Sequence, residues 1–295
     1  MLKLTEHLIT WQPRVEYADY YERALYNHIL ASQDPQQGMF AYYMSLKPGH
    51  FRTYSTRFES FWCCVGSGME NHTKYGEAIY FHRGDELFVN LFIPSVLTWD
   101  SKEFVLEQRT DYPGRNQTEL TVMSSAAQPI TLRVRSPQWA AGPITFQLNG
   151  TPVAADGEPG SYASIERTWE PGDRLVVTIP MAPRTEALRG AADKIAFLYG
   201  PVVLAGDLGA VSRTVTFPYA ADQSANFEAQ SAEVPTLSGD GATIAETLHR
   251  ASGERLAFLT DGMITNKHET VTLRPFAELH YRHYNVYWTL TSPAP

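Results

Sequence analysis

The chain has 295 residues, of which 43% are hydrophobic, 12% aromatic and 19% charged, as expected for a folded protein of more than one domain. The formal net charge of −8 argues against a nucleic-acid partner, since phosphate binding needs clustered Lys and Arg. No apolar run reaches the roughly 18 to 20 residues of a membrane span, and the first residues lack a signal peptide. We therefore expect a soluble protein, either cytoplasmic or periplasmic, without a membrane partner.

The amino-terminal part carries the spacing of helices. Apolar residues recur at helical intervals along the first of them, at Met1, Leu4, Leu8 and Trp11. A second helical pattern runs from Tyr17 to Ile29, and Asp34-Pro35 ends it. No capping residue precedes the first helix, which is what a chain truncated inside a helix would look like.

After residue 78 the period changes from helix to strand. Short runs rich in aromatic and branched residues predict strands at 79–81, 87–93, 104–106, 130–135, 144–148 and 175–179. Strands of this length with frequent turns favour an antiparallel sandwich. A second β-rich region begins at 195–204 and ends on a strand at 279–288. Between them, the small-residue segment from Ala220 to Gly253 predicts long loops or an insertion.

The only two cysteines are adjacent, in the block FWCCVGSGMENH at 61–72. Three arrangements compete for such a pair: two small buried side chains, a vicinal disulfide, or two ligands of one metal ion. A vicinal disulfide closes a strained ring, and two thiolates fill only two of the four positions that Zn²⁺ prefers. From the residues alone the metal site is weakly indicated. A redox-active thiol protein is disfavoured because the pair lacks the Cys-x-x-Cys spacing.

A resemblance to a known family strengthens the metal interpretation. Six segments carry it, at 1–13, 17–50, 54–81, 87–99, 196–206 and 279–288. They are similar to the carboxy-terminal half of the β-L-arabinofuranosidases of glycoside hydrolase families 127 and 146, and the Cys63-Cys64 block is the most specific part. The resemblance implies a mainly β fold with an α-helical amino-terminal part, the remnant of a six-hairpin α/α barrel followed by two β-sandwich domains. The implied domains are 1–78 for the barrel helices, 79–184 plus 281–295 for the first sandwich, and 185–280 for the second.

The resemblance also implies a chemistry and a substrate. Cys63 matches the nucleophile of a retaining glycosidase, which forms a thioglycoside that water then hydrolyses. Zinc would be bound by Cys63 and Cys64 together with an upstream Glu and Cys, and coordination deprotonates a thiol. Glu22 and Tyr42 match sugar-contacting positions, and the expected partner is an arabinose-containing oligosaccharide or glycan. On the residues alone, Glu22 could equally serve in a salt bridge or cap, and Tyr42 could belong to the core.

The sequence departs from the family in one respect. The family's Glu-x-Cys zinc ligands and its acid/base Glu fall before the stretch that matches Met1, so the chain is expected to hold zinc weakly and to be inactive alone. The helical face that carries Leu4, Leu8, Tyr17 and Tyr21 should then be covered by another chain, be repacked, or leave an apolar patch. Glu70 and His72 are expected to start the last barrel helix and are left out of the ligand set.

The alternative function is a non-catalytic carbohydrate-binding or structural β-sandwich module. An exposed groove lined by Trp or Tyr, with Cys63 and Cys64 buried and free of metal, would favour it.

Overall fold

The computed structural model describes residues 1–219, 231–241, 243–260 and 270–291. Within these ranges three α-helices lie before residue 78: α1 (Leu2–Trp11), α2 (Val15–Ala24) and α3 (Cys63–Asn71). Helix α2 continues into a π-helical turn, Leu25–Ile29, and a 3-10 turn, Leu30–Ser32. The predicted run from Tyr17 to Ile29 is therefore helical throughout, although its last turn is wider than an α-helix.

Strands dominate the rest of the chain. In order, the described strands are β1 (Tyr54–Ser55), β2 (Tyr80–Arg83), β3 (Glu86–Val89), β4 (Ser95–Trp99), β5 (Phe104–Thr110), β6 (Gln117–Ser124), β7 (Pro129–Ser136), β8 (Thr145–Leu148), β9 (Thr151–Val153), β10 (Ser161–Thr168), β11 (Arg174–Thr178), β12 (Pro183–Leu188), β13 (Ala191–Tyr199), β14 (Val202–Ala210), β15 (Thr216–Phe217), β16 (Leu237–Ser238), β17 (His249–Arg250), β18 (Phe258–Leu259), β19 (Thr272–Pro275), β20 (Arg282–Asn285) and β21 (Trp288–Thr291). Among these residues, β1 is the one strand before residue 78, and the helices after it are short 3-10 turns. The predicted change of period and the mainly β composition are confirmed.

The chain divides into two compact units. The first consists of Met1–Ala24 and Thr73–Ala182, and the second of Leu25–His72 and Pro183–Pro295. The division into a barrel remnant and two sandwiches stays a prediction.

The first unit contains two sheets. One has the strand order β10-β7-β3-β2 and the other β4-β5-β6-β11-β8-β9. Neighbours are antiparallel, as predicted, except for β3 and β7, which run parallel. Alternate residues are buried in both sheets, for example Leu132 and Val134 in β7 and Leu120 and Val122 in β6. Such alternation is typical of sheets that pack on one face.

Helix α1 leaves part of its apolar spacing exposed. Thr5 and Ile9 are buried, whereas Met1, Leu4 and Trp11 are 80%, 49% and 75% exposed. No side-chain cap is present at the described start of the helix, in agreement with the sequence. Of the face that carries Leu4, Leu8, Tyr17 and Tyr21, Tyr21 is buried, Leu8 and Tyr17 are half-buried and Leu4 is exposed. The exposed apolar row of α1 consists of Met1, Leu4 and Trp11.

The second unit is built on a nine-stranded sheet. Its main path runs β16-β21-β13-β14-β19-β18-β17, with β12 beside β13 and β20 beside β14. Strands β13 and β14 form a hairpin around Gly200, whose φ of 55° is in the left-handed region. The core of this unit includes Ala31, Ala196, Leu198, Ala205, Phe276, Leu279, Tyr284 and Val286.

The two closing strands pair inside the second unit. Strand β20 places Asn285 opposite Gly206, and β21 places Trp288 opposite Ile195. The resemblance implied that 285–288 returns to the first sandwich, and these pairings differ from that expectation. Packing accounts for the difference, since Trp288 is fully buried with its ring on Gly206, where an added Cβ would lie 2.5 Å from the ring.

The loops predicted from Ala220 to Gly253 lie partly outside the described residues. The described part contains β16, β17 and a 3-10 turn, Ile244–Thr247. Over the described ranges, no helix has the length and apolar character needed to cross a membrane.

Candidate active site

The cysteine pair begins helix α3 in the second unit. Trp62 precedes the helix with an extended backbone, and Cys63 and Cys64 are its first two residues. The Trp62 indole Nε1 donates a hydrogen bond to the Pro218 carbonyl at 2.9 Å, which fixes the entry into the helix. The first N–H groups of a helix point out of its amino end, so the pair lies where the helix dipole favours negative charge.

The two thiols are neither bonded to each other nor both buried. Cys63 is exposed and Cys64 is half-buried, and their Sγ atoms are 3.7 Å apart. A disulfide requires about 2.05 Å between the sulfurs. This structure therefore contains neither a vicinal disulfide nor a pair of small buried side chains. Burial raises the pKa of the Cys64 thiol, and the adjacent Cys63 adds to the rise.

The spacing of the sulfurs fits half of a zinc site. Two thiolates on one tetrahedral Zn²⁺, each about 2.3 Å from the metal, lie about 3.8 Å apart, and the observed separation is 3.7 Å. Within the described part of the chain, no group of three or more His, Cys, Asp and Glu side chains converges on a metal position. The residues present thus match two of four ligand positions and do not form a complete site.

Tyr42 lies beside the cysteine pair. Its ring contacts Tyr43 edge-on at 4.4 Å and Trp62 at 5.8 Å between centroids. Tyr43, followed by the thiols of Cys63 and Cys64, raises the pKa of Tyr42, so the phenol shares their surroundings. The structure therefore brings together three of the residues singled out from the sequence. The packed rings of Tyr42, Tyr43 and Trp62 lie next to the accessible thiol of Cys63.

Helix α3 packs against the ring of Phe40. Gly68 packs on the Phe40 ring so closely that an added Cβ would lie 2.3 Å from Cδ1. The ring of His72 stacks on the same phenylalanine at 5.6 Å. Phe40 is fixed by Ser55, whose backbone N–H donates to the Phe40 carbonyl at 2.8 Å and whose hydroxyl accepts from the Phe40 N–H at 3.1 Å. This support was missed from the sequence, where a glycine inside a helix was the available signal.

The helix boundaries correct one expectation. Helix α3 starts at Cys63 and ends at Asn71, so Glu70 is in its last turn and His72 follows it. The expectation that these two residues start a helix was wrong, because the chain becomes helical seven residues earlier, at the cysteines.

Glu22 belongs to the first unit and is fully buried there. Its Oε1 accepts hydrogen bonds from Arg135 Nη2 at 2.6 Å and from the Tyr112 hydroxyl at 2.9 Å, and its Oε2 accepts from Trp139 Nε1 at 3.3 Å. Arg135 also pairs with Asp19. Burial raises the pKa of Glu22, while Arg135 opposes the rise. These contacts match the salt-bridge alternative, and the role of Glu22 in sugar binding stays a prediction.

Family models match the chain along most of its length. The model of the β-L-arabinofuranosidase GH127 catalytic domain matches residues 1–77, and that of the GH127 middle domain matches residues 86–181. The chain belongs to the GH127 β-L-arabinofuranosidase family. A model described as a domain of unknown function matches residues 184–290 of this GH127 chain.

Solved structures agree with the fold of the GH127 chain. A protein described as a glycoside hydrolase matches with a TM-score of 0.74 and 17% identity, over 98% of this chain and 51% of its own length. A GH127 β-L-arabinofuranosidase from Geobacillus stearothermophilus matches with a TM-score of 0.71 and 20% identity, over 98% and 48%. A GH127 β-arabinofuranosidase matches with a TM-score of 0.69 and 20% identity, over 99% of this chain and 49% of its own length. The chain thus spans about half the length of these structures. Among curated proteins, none matches it.

Proposed function

We propose that this chain is the carboxy-terminal part of a retaining β-L-arabinofuranosidase in which Cys63 is the nucleophile. The observation that carries the proposal is the accessible thiol at the start of α3, 3.7 Å from a second thiol and next to the ring of Tyr42. Membership of GH127 supplies the substrate class, an arabinose-containing oligosaccharide or glycan. We further propose that residues 1–78 are the last helices of an α/α barrel, followed by two sandwich domains.

The proposed reaction has two steps. The Cys63 thiolate attacks the anomeric carbon, a C–S bond forms, and the C–O bond to the leaving group breaks while that oxygen takes a proton from a general acid. Water then attacks the same carbon and gives one proton to the conjugate base of that acid, the C–S bond breaks, and the thiolate is regenerated as arabinose leaves. Tyr42 packs against the sugar ring, since an aromatic face is complementary to the C–H groups of a sugar. The general acid is proposed to come from outside this stretch of chain.

Zinc is proposed as the cofactor of the complete site. Cys63 and Cys64 would hold it through their Sγ atoms, in keeping with the 3.7 Å spacing. A bound Zn²⁺ supplies deprotonation of the thiol that coordinates it. The remaining ligands, a Glu and a Cys, are proposed to lie upstream of Met1. With two ligands alone, the present chain is proposed to bind zinc weakly and to be inactive.

The test compares two forms of the protein. One is the present chain and the other is extended by the sequence encoded upstream of Met1. We expect substoichiometric zinc and no release of arabinose from an aryl β-L-arabinofuranoside in the first, and about one zinc and turnover in the second. Full activity of the present chain would contradict the assignment of the acid and the ligands to the upstream segment.

The exposed row on α1 suggests a partner. Met1, Leu4 and Trp11 expose apolar side chains on one helix in the first unit. We propose that this row supports self-association of the present chain, since large exposed apolar groups that adjoin one another mark interaction surfaces.

The second candidate function, a non-catalytic carbohydrate-binding module, is favoured by one observation. Tyr80 and Trp99 line a cleft in the first unit. The accessibility of Cys63 argues against this candidate, because a binding module was expected to bury both cysteines. The two candidate functions predict different results for the extended chain: the glycosidase should turn over substrate, and the binding module should not.

A further inference from the structure

A cleft of about 280 Å³ opens in the first unit between strands β2 and β4. The residues that matter for its chemistry are Tyr80, His82, Leu97, Trp99, Asp100 and Ser101. Its volume is just below the range of about 300 to 1,000 Å³ that is typical of ligand pockets. It therefore suits a ligand of one or two rings and not a helix or a long peptide.

The cleft lies between the edges of two sheets. Strand β2 is the last strand of the four-stranded sheet and β4 the first of the six-stranded sheet, in the order observed over the described residues. Edge strands present backbone N–H and C=O groups that no neighbouring strand uses. The cleft thus has hydrogen-bonding groups from the backbone on two sides, which suit a ligand with several hydroxyl groups.

Two side-chain pairs hold the edges together across the cleft. The Tyr80 hydroxyl lies 3.0 Å from Ser95 Oγ, and the rings of His82 and Trp99 are 5.0 Å apart between centroids. Trp99 is only 7% exposed, so its indole is held in place by the sandwich. The shape of the cleft is therefore built in and does not depend on a loop that must close.

The lining combines aromatic rings with polar groups at the mouth. Asp100 and Ser101 are exposed there, and Asp100 disfavours an anionic ligand. Lys102, whose Nζ lies 5.9 Å from the Trp99 ring, pairs with Asp85, so its charge is already neutralised. A neutral ring with an apolar face and several hydroxyl groups is the ligand that uses both parts of this lining.

We propose that this cleft is a carbohydrate-binding site that takes one or two sugar residues of the glycan. The proposed function enters only in the choice of sugar, an L-arabinofuranosyl unit, and the cleft itself rests on Tyr80, His82, Trp99 and Asp100. The site binds sugar and contributes no reacting group.

The test is calorimetric titration of the present chain, carrying Cys63→Ser, with a β-L-arabinofuranosyl disaccharide, cellobiose and maltose. Asp100→Ala changes an exposed residue and should keep the melting temperature of the parent. His82→Ala removes the ring that contacts Trp99 and is expected to lower the melting temperature while the chain stays folded. Each is expected to weaken binding at least tenfold. Val96→Ser is the matched control, because Val96 is 63% exposed on strand β4, beside the cleft, and does not line it. It should bind like the parent.

The outcomes separate the cleft from the proposed function. Loss of binding in both cleft variants but not in the control supports the site, and a preference for cellobiose or maltose would assign it to another glycan. Unchanged affinity in both cleft variants, or no binding of any of the three sugars, would overturn it. Hydrolysis by the extended chain is measured separately, so an inactive enzyme with an intact cleft contradicts the proposed function alone.

Discussion

Gly68 of α3 and Phe40 are in direct contact, and no side chain fits between them: a Cβ atom at position 68 would lie 2.3 Å from Phe40 Cδ1. Because α3 begins with Cys63, this contact helps to set the position of the thiols. Gly66, two residues earlier in the same helix, has no atom within 4 Å of the corresponding Cβ position. The two glycines therefore provide a matched pair of substitutions.

Gly68→Ala is expected to lower the free energy of unfolding by about 1 to 3 kcal/mol, because the added methyl group overpacks the contact with Phe40. Gly66→Ala is expected to raise it by about 0.5 to 1 kcal/mol, since alanine is the better helix former. Urea unfolding of the two variants measures both effects. The rate of thiol labelling at Cys63 and Cys64 should change only in Gly68→Ala, and equal rates in the two variants would show that the contact does not position the cysteines.

The buried carboxylate of Glu22 provides a second prediction. Glu22→Ala leaves the buried guanidinium of Arg135 without one of its two carboxylates, and loss of a partner from such a buried pair costs about 3 to 5 kcal/mol. The control is Glu16→Ala, which removes an exposed pair with Arg14 and should change the free energy of unfolding by less than about 1 kcal/mol.

The same residue tests the sugar-binding role predicted from the resemblance. In the extended chain, Glu22→Gln should lower stability if the carboxylate is structural. A variant with parental stability but a KM raised at least tenfold would instead support direct contact between Glu22 and the substrate.

His280 makes the second unit sensitive to acid. Its Nδ1 lies 2.6 Å from the Tyr54 hydroxyl and 3.4 Å from Arg52 Nη1, and because a guanidinium only donates, Nδ1 is the acceptor. Burial, together with Arg52, lowers the pKa of His280 from 6.5 to about 4. The unfolded chain therefore binds a proton that the folded chain does not between these two values.

The contribution of His280 to the free energy of unfolding should accordingly be fully present above about pH 6.5 and should decrease as the pH falls towards 4. Because the ring is only partly buried, the slope of this decrease should stay below the limit of about 1.4 kcal/mol per pH unit. His280→Gln should remove this part of the slope in denaturant titrations at several pH values. An identical pH dependence in the parent and in His280→Gln would contradict the assignment.

Self-association through α1 is expected to depend on the exposed row. Leu4→Lys and Trp11→Lys should shift the present chain towards a monomer in light scattering, because a charge replaces an exposed apolar contact. Met123→Lys is the control, since Met123 is 54% exposed on strand β6, outside the row. A parent chain that is monomeric at all concentrations would rule out this surface.

The sequence predicts the order of elements but not their faces. The change of period near residue 78 is local information, carried by each residue's neighbours along the chain, and it matches the structure. The buried face of α1 is decided by tertiary contacts, which select Thr5 and Ile9 in place of the more apolar row. The pairing of β21 likewise depends on the fit of Trp288 on Gly206, a contact between residues far apart in sequence.

The candidate site was accessible to sequence reasoning only in part. The adjacency of Cys63 and Cys64 is visible directly, whereas the position of Tyr42 beside them required the resemblance to a family. The cleft between β2 and β4 could not be predicted, because it forms where the edges of two sheets meet and neither segment carries a motif of its own. Period and composition describe single elements, and sites of this kind arise between elements.

The central claim is that Cys63 is the nucleophile and Cys64 its companion in binding zinc. The most direct measurement is turnover of an aryl β-L-arabinofuranoside by the extended chain, together with its zinc content, for Cys63→Ser and Cys64→Ser. We predict that Cys63→Ser loses activity by at least about 1,000-fold whatever zinc is supplied, since removal of a nucleophile leaves only binding contributions. Cys64→Ser should lose mainly zinc and recover turnover when zinc is added in excess. Activity of Cys63→Ser within tenfold of the parent would show that the reaction does not pass through this thiol.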